Sequence, residues 1–204
     1  MSCFSPDIAS IHAFFTEERT DIAALLPQEA ALAASFADKR VADFATGRHC
    51  ARMALRGLGL SAAIPIPTGA GREPCWPQDV TGSISHAEGL TGSMVAWKRD
   101  YRSIGLDIER LDAVEEELLP LVLTPGELGW VKGDTALATT VFSLKEAFYK
   151  MQFPLTGQFL DFREVETDRD LTRMRIVKTF PDIGPSTLGH RVWKGHIITW
   201  ALAV

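Results

Sequence analysis

From Ser103 to Glu109 the chain alternates strictly. Ile104, Leu106 and Ile108 interleave with Gly105, Asp107 and Glu109, the period of a two-faced β-strand. Side chains two apart share a face, roughly 6.5–7 Å apart along the strand. The pattern sets Asp107 and Glu109 side by side, with Gly105 leaving room beside them. Like charges on one face repel unless a cation lies between them or water solvates them. Two readings stay open on this stretch alone. One is an exposed edge strand. The other is a hard-oxygen site for Mg²⁺, which takes one or two carboxylates plus substrate phosphates.

Two helices are legible on either side of that strand. Residues 38–58 carry Val41, Phe44, Ala51, Ala54, Leu55 and Leu58 on an apolar stripe, closed by Gly57 and Gly59. Arg40, Arg48, Arg52 and Arg56 recur at fours and eights, close to one face, with Asp43 as the nearby carboxylate. A solvated basic face is one reading. An anion partner is the other, because the guanidinium fork fits phosphate. Residues 137–151 form the second helix, with Leu137, Val141, Leu144, Phe148 and Met151 toward a core. Glu146 lies about 200° from Leu144 and faces away from that stripe. It stands four residues before Lys150, the favourable order for an ion pair. Thr124-Pro125-Gly126-Glu127 fits a capping box.

The remaining segments read as loops and strands. Residues 1–27 read as short helix and loop. Residues 64–77 hold six prolines and glycines in Pro65, Pro67, Gly69, Gly71, Pro74 and Pro77, a loop that carries Arg72. Its Gly69-x-Gly71 pair is no dinucleotide fingerprint, since Pro74 stands where a third glycine belongs. Residues 82–86 and 92–97 read as paired strands. Ser85 and His86 are adjacent, so a strand sends them to opposite faces and disfavours a hydrolase dyad. Residues 98–102 form a polar turn, which puts one half at 1–100 and the other at 101–204. Strands are expected near 162–167, 173–180 and 195–203, with a loop over 152–161.

Composition narrows the function classes. The net charge of −5 argues against binding nucleic acid over the whole surface, though not against a local basic pocket. No apolar run approaches the ~18–20 residues that span a bilayer, and residues 1–10 lack the pattern of a secretory leader. Cys3, Cys50 and Cys75 are odd in number and show no zinc spacing, which suits a reducing cytoplasm.

Ile104-Gly105-Leu106-Asp107-Ile108-Glu109 and Phe142-Ser143-Leu144-Lys145-Glu146-Ala147-Phe148-Tyr149-Lys150 resemble the two signature motifs of the 4′-phosphopantetheinyl transferases. The stretches 47–52, 71–77 and 82–86 resemble the upstream motifs of the monomeric, two-half members, of which the enterobactin-synthase component D group looks closest. The resemblance runs from about Arg40 to Leu160, with five motifs in the family's order. It implies an α+β fold of two similar α/β halves related by a pseudo-twofold axis, with coenzyme A between them. The N-terminal half would bind the coenzyme A nucleotide, and the C-terminal half would carry the magnesium and transfer motifs.

The implied reaction moves the phosphopantetheine arm of coenzyme A to a serine of an apo acyl or peptidyl carrier protein and releases 3′,5′-ADP. By the resemblance, Asp107, Glu109 and Glu146 hold Mg²⁺. Arg40, Arg48, Arg72, Ser85 and His86 hold the nucleotide, Lys145 and Lys150 contact phosphates, and Leu160 lies near the ligand. Glu146 would take the serine proton and Lys150 would offset charge on the departing ADP. The loop at 68–71 lacks lysines that some relatives carry; Arg72 is a substitute for them, and which basic residue reads the 3′-phosphate stays open.

Two other classes share these residues. A magnesium-dependent phosphohydrolase would use water where the carrier serine is placed. A coenzyme A-binding module without catalysis has little need of Glu146 beside Lys150. Carrier docking is expected over residues 112–140, where Leu118, Leu119, Leu121, Val122, Leu123, Trp130 and Lys132 follow an acidic run.

Overall fold

A three-stranded antiparallel sheet covered by one long helix occurs twice along the chain. The computed structural model describes residues 8–204, so Cys3 and most of the segment read for a leader lie outside it. The chain divides into two units, Met1–Asp100 and Tyr101–Val204.

The first unit contains β1 (His12–Thr16), α1 (Pro27–Ala33), α2 (Asp38–Gly57), β2 (Val80–Ala87) and β3 (Leu90–Trp97). Its strand order is β1-β3-β2. Strand β1 replaces part of the helix and loop expected over 1–27. Five residues are too short for a period to show, and pairing with β3 fixes their state. Strands β2 and β3 meet in a two-residue turn, with Ala87 opposite Leu90 and Gly89 at φ +86°. Leu90 and Thr91 therefore belong to the strand, not to the turn expected there. Helix α2 buries Ala51, Ala54 and Leu55 against Ile66, Val80 and Val95.

The second unit contains β4 (Ser103–Arg110), α3 (Leu119–Val122), α4 (Pro125–Val131), α5 (Thr135–Thr156), β5 (Val165–Thr167), β6 (Met174–Ile176), β7 (Ser186–Trp193) and β8 (His196–Ala203). Its main sheet runs β4-β8-β7, and β5-β6 form a separate ribbon. Each unit thus opens with a strand, continues through a long helix and ends in a hairpin. In each, the final strand is central and pairs with the first. Helix α5 runs one turn past the expected end and into the expected loop, and stops at Gly157 with φ +64°. Pro154 sits in its last turn, where it forfeits a single N–H bond. The strand expected over 173–180 shortens to β6, and β7 was not anticipated. Its exposed polar residues mask any two-residue period.

A second device recurs. Helices α1 and α4 each start on proline and carry a glutamate at their third position, Glu29 and Glu127, both fully buried. Each carboxylate accepts a backbone N–H at its own helix start: Leu26 N at 3.0 Å and Thr124 N at 2.8 Å. Each is paired with a base from the unit's long helix, Arg52 at 2.7 Å and Lys145 at 2.6 Å. Because removing one member of a buried pair strands the other charge, these pairs lock the short helix to the long one.

Among the described residues, no helix is long and apolar enough to cross a membrane. Leu119, Val122 and Leu123 are core residues, and Trp130 packs against that core, whereas Leu118 and Leu121 are exposed. The apolar segment expected to dock a carrier is therefore mostly internal. Its period is helical, and one face of it closes the second unit's core.

Candidate active site

The carboxylate strand and the second long helix meet where the strand has no side chain. A Cβ built on Gly105 would lie 1.8 Å from the carbonyl oxygen of Ala147. The space beside Asp107 is thus filled by α5 backbone, which corrects the expectation that Gly105 leaves room there. This contact turns one helix face onto β4. Ser143, Ala147 and Lys150 are spaced by four and three, the spacing of helix neighbours.

Asp107 is the hub of that face. It is 3 % exposed. Its Oδ1 accepts from Lys150 Nζ at 2.6 Å and its Oδ2 from Ser143 Oγ at 2.8 Å. Lys150 also donates to Leu106 O at 3.1 Å, while its side chain stays 30 % exposed. Burial pushes the Glu109 carboxyl up to about 7, the charge of Asp107 adds to this, Lys150 opposes it, and Glu146 raises it again. Burial likewise raises Glu146, with Lys150 opposing and Asp107 reinforcing the rise. Three carboxylates thus feel one another across one lysine. By donor chemistry this set fits a hard divalent cation, which would relieve that repulsion. Among the described residues, no three acidic, histidine or cysteine side chains converge as a coordinating group.

Glu146 and Leu160 line a cavity of about 240 Å³ together with Phe148, Tyr149, Phe159 and Phe162. Tyr149 stacks on Phe153, and Phe142 lies against Phe162 at 5.2 Å. Glu146 is half-buried beside these rings, and burial raises its carboxyl. Lys145 also lines this cavity, but its ammonium is engaged in the core. It is 2 % exposed and donates to Val122 O, Glu127 Oε2 and Phe162 O. Three contacts use all three ammonium protons. The phosphate contact expected of Lys145 has no donor left in this arrangement. Burial pulls its ammonium down, and Glu127 counters.

The first unit carries a basic pocket of about 550 Å³, lined by Lys39, Arg40, Arg48, Arg72 and His86 with Asp43 as a lining carboxylate. Arg48 is 6 % exposed. Its Nε donates to Ile66 O at 2.7 Å and its Nη2 to Thr68 Oγ1 at 2.9 Å, and its guanidinium lies 4.2 Å above the Phe44 ring. Desolvation brings it down to about 10, with Glu29 opposing and Arg52 reinforcing, so it stays charged at neutral pH. No carboxylate is ion-paired with Arg40, Arg48 or Arg72 among the described residues. A buried guanidinium with no ion-paired carboxylate has the chemistry to receive an anion.

Arg72 adopts φ +69° on a turn closed by Arg72 N to Gly69 O at 3.0 Å and by the Thr68–Pro74 bridge. Arg52 does not join the basic face, since Glu29 neutralises it inside the fold. That carboxylate, 23 residues upstream, was out of reach of helix periodicity. Ser85 is buried on the opposite face of β2 from His86 and does not line the pocket. Sequence reasoning also missed Glu127 as the partner of Lys145, and it missed Ser143 and Thr199. Ser143 shared a helical face with Lys150 and was findable. Thr199 needs the β4–β8 register.

The fold and these two clusters define an α+β protein with a basic pocket in one unit and a carboxylate–lysine cluster in the other. A model of the 4′-phosphopantetheinyl transferase N-terminal domain matches residues 28–96. A model of the 4′-phosphopantetheinyl transferase superfamily matches residues 103–203. The chain belongs to the 4′-phosphopantetheinyl transferase superfamily.

It is 39 % identical over 161 residues to 4′-phosphopantetheinyl transferase Svp of Streptomyces mobaraensis, covering 76 % of this chain and 65 % of that protein. It is 41 % identical over 141 residues to 4′-phosphopantetheinyl transferase Npt of Nocardia iowensis, covering 68 % and 63 %. Enterobactin synthase component D of Escherichia coli (strain K12) is 34 % identical over 139 residues, covering 64 % of each chain. The chain therefore spans a little under two thirds of the length of these relatives.

Proposed function

We propose that this protein transfers the 4′-phosphopantetheine arm of coenzyme A to a serine of an apo acyl or peptidyl carrier protein and releases 3′,5′-ADP, acting as a holo-[acyl-carrier-protein] synthase. The observation that carries the reading is the match of both units to transferase models. The activity for which Svp and Npt are named supports it. Carriers of fatty-acid, polyketide, nonribosomal-peptide and siderophore synthesis are the substrate class. We place it in the cytoplasm as a monomer.

In this reading Arg40, Arg48, Arg72 and His86 take the phosphates of the nucleotide. Guanidinium forks grip phosphate oxygens in pairs, so they orient as well as neutralise. Asp107, Glu109 and Glu146 are the residues that would hold Mg²⁺, which when bound neutralises and orients the pyrophosphate. Glu146, beside a cavity walled by aromatic rings, accepts the proton of the carrier serine as its oxygen attacks phosphorus. The bond to the ADP oxygen breaks, and Lys150 offsets the charge left there. The exposed Leu118 and Leu121, with Lys132, remain as the docking candidates within 112–140.

Incubation with coenzyme A, Mg²⁺ and an apo carrier tests the reading. The expected result is a carrier heavier by one phosphopantetheine group in the mass spectrum. Free phosphopantetheine with an unmodified carrier would instead make the protein a phosphohydrolase and overturn it.

A further inference from the structure

Below the exposed part of the carboxylate cluster lies a buried polar chain. Asp107 and Thr199 are directly opposed on β4 and β8, and opposed residues of an antiparallel pair share a face. Ser143 reaches between them from α5. Its Oγ lies 2.8 Å from Asp107 Oδ2 and 2.8 Å from Thr199 Oγ1. Ser143 and Thr199 are both 0 % exposed.

The direction of this chain follows from counting protons. A serine hydroxyl has one proton, and Ser143 gives it to Asp107. Thr199 must therefore donate to Ser143. Hydroxyl dipoles run one way, from Thr199 through Ser143 to Oδ2 of Asp107. Lys150 grips Oδ1 from the other side at 2.6 Å. With both oxygens held, rotation of the carboxylate about its last bond breaks a buried hydrogen bond that water cannot replace.

Packing alone does not call for hydroxyls here. Alanine and valine would fill the same space without desolvating two polar groups, and a buried polar chain is advantageous only when every member is satisfied and something depends on its geometry. What depends on this one is the carboxylate at its end. We infer that Thr199 is a positioning residue, which through Ser143 fixes the Asp107 carboxylate in the orientation that receives a divalent cation. The inference rests on the proposed role of Asp107 as a metal ligand.

The test compares Thr199→Val, which keeps the shape and loses the hydroxyl, with Thr199→Ser, which keeps the hydroxyl. Mn²⁺ binding to the full chain is measured directly by electron paramagnetic resonance, with thermal melts in chelator as the fold control. Thr199→Val is expected to weaken Mn²⁺ binding about tenfold, with Thr199→Ser within about twofold of the parent protein. Ser143→Ala serves as the second variant, with a loss at least as large, should Thr199→Val melt without cooperativity.

Equal Mn²⁺ affinity in the parent, Thr199→Val and Ser143→Ala overturns the inference. So does an equal loss in Thr199→Val and Thr199→Ser, which would assign the effect to packing. A parent protein that binds no Mn²⁺ overturns it as well. The carrier assay reads the functional proposal separately. Absence of transfer with the Mn²⁺ difference intact sinks the transferase reading alone, and transfer without that difference sinks the positioning role alone.

Discussion

Gly105 and Ala147 touch backbone to backbone, since a methyl group on Gly105 would stand 1.8 Å from the Ala147 carbonyl oxygen. The closeness of strand and helix sets the Asp107–Lys150 distance of 2.6 Å. A methyl at Gly105 pushes α5 outward and separates that pair.

Gly105→Ala is therefore expected to cost at least the ~1–3 kcal/mol of overpacking a core, and more because the obstacle is backbone. The measurement is a denaturant melt alongside the transfer assay. Unchanged stability would show that α5 slides away at no cost and that the close approach does not hold the site together.

Lys145 offers a contrast with Lys150. Lys145→Met strands the fully buried Glu127, at a cost of about 3–5 kcal/mol. The double change Lys145→Met/Glu127→Leu should recover most of that. Lys150→Met should lower transfer as well as the melt, because it leaves the buried Asp107 carboxylate without its ion partner. If Lys145→Met melts like the parent and instead raises the KM for coenzyme A, Lys145 binds phosphate and its place in the core is not its role.

Arg48 and Arg72 separate in a binding titration. Loss of a charged hydrogen bond costs roughly 1.5–3 kcal/mol, so each alanine variant should weaken coenzyme A by that scale. Arg48→Ala should also lower the melting temperature, since Arg48 anchors Ile66 O and Thr68 from within the fold. Exposed Arg72 should not. Dephospho-coenzyme A, which lacks the 3′-phosphate, identifies the residue that reads it. A variant that loses equally toward both ligands does not touch that phosphate.

Acid stability is set partly by His49, which stands edge-on to Phe14 at 5.7 Å. Burial holds its imidazole below the usual 6.5, and the Arg52 charge adds to the effect. The unfolded chain therefore takes the proton first. The stability contributed by neutral His49 is fully present above pH 6.5 and is lost as pH falls from there through the lower value of the folded protein. His190, lowered by burial, acts in the same direction. His49→Gln should flatten the fall in melting temperature between pH 7.5 and 5.5. An identical slope would remove His49 from the account.

How far these elements were legible depended on the range of the interactions that set them. The alternation at 103–109 and the apolar stripes of α2 and α5 follow from local periods, so strand and helices were readable from sequence. The Asp107–Glu109–Glu146 grouping was readable once one strand and one helix face were combined with the family motifs. Arg52 and Lys145 misled because arginine and lysine read as surface residues until a buried glutamate is placed beside them. Those glutamates lie 23 and 18 residues away. Thr199 lies 56 residues beyond Ser143, and only the pairing of β8 with β4 brings it to the site. Strand β7 carries too few buried residues to announce itself.

The metal assignment has its own signature in the melt, independent of transfer. In the absence of a cation, Asp107, Glu109 and Glu146 repel one another, and burial, reinforced by the charge of Asp107, holds the Glu109 carboxyl up to about 7. Asp107 is a poor probe, because its removal also strands Ser143 and Lys150. Glu109, at the rim of the cluster, is the better one. Glu109→Gln keeps the shape and removes one negative charge, so the chelated protein should melt at or above the parent temperature. The same change removes an oxygen donor of full charge, so the rise in melting temperature on adding Mg²⁺ should shrink. A ligand that binds the folded form stabilises it by mass action, and the size of the rise reports affinity. Parent and variant should therefore cross, with the variant the more stable in chelator and the less stabilised by Mg²⁺. If Mg²⁺ raises both melts equally, Glu109 is not a ligand, and the cation is held by other groups or not at all.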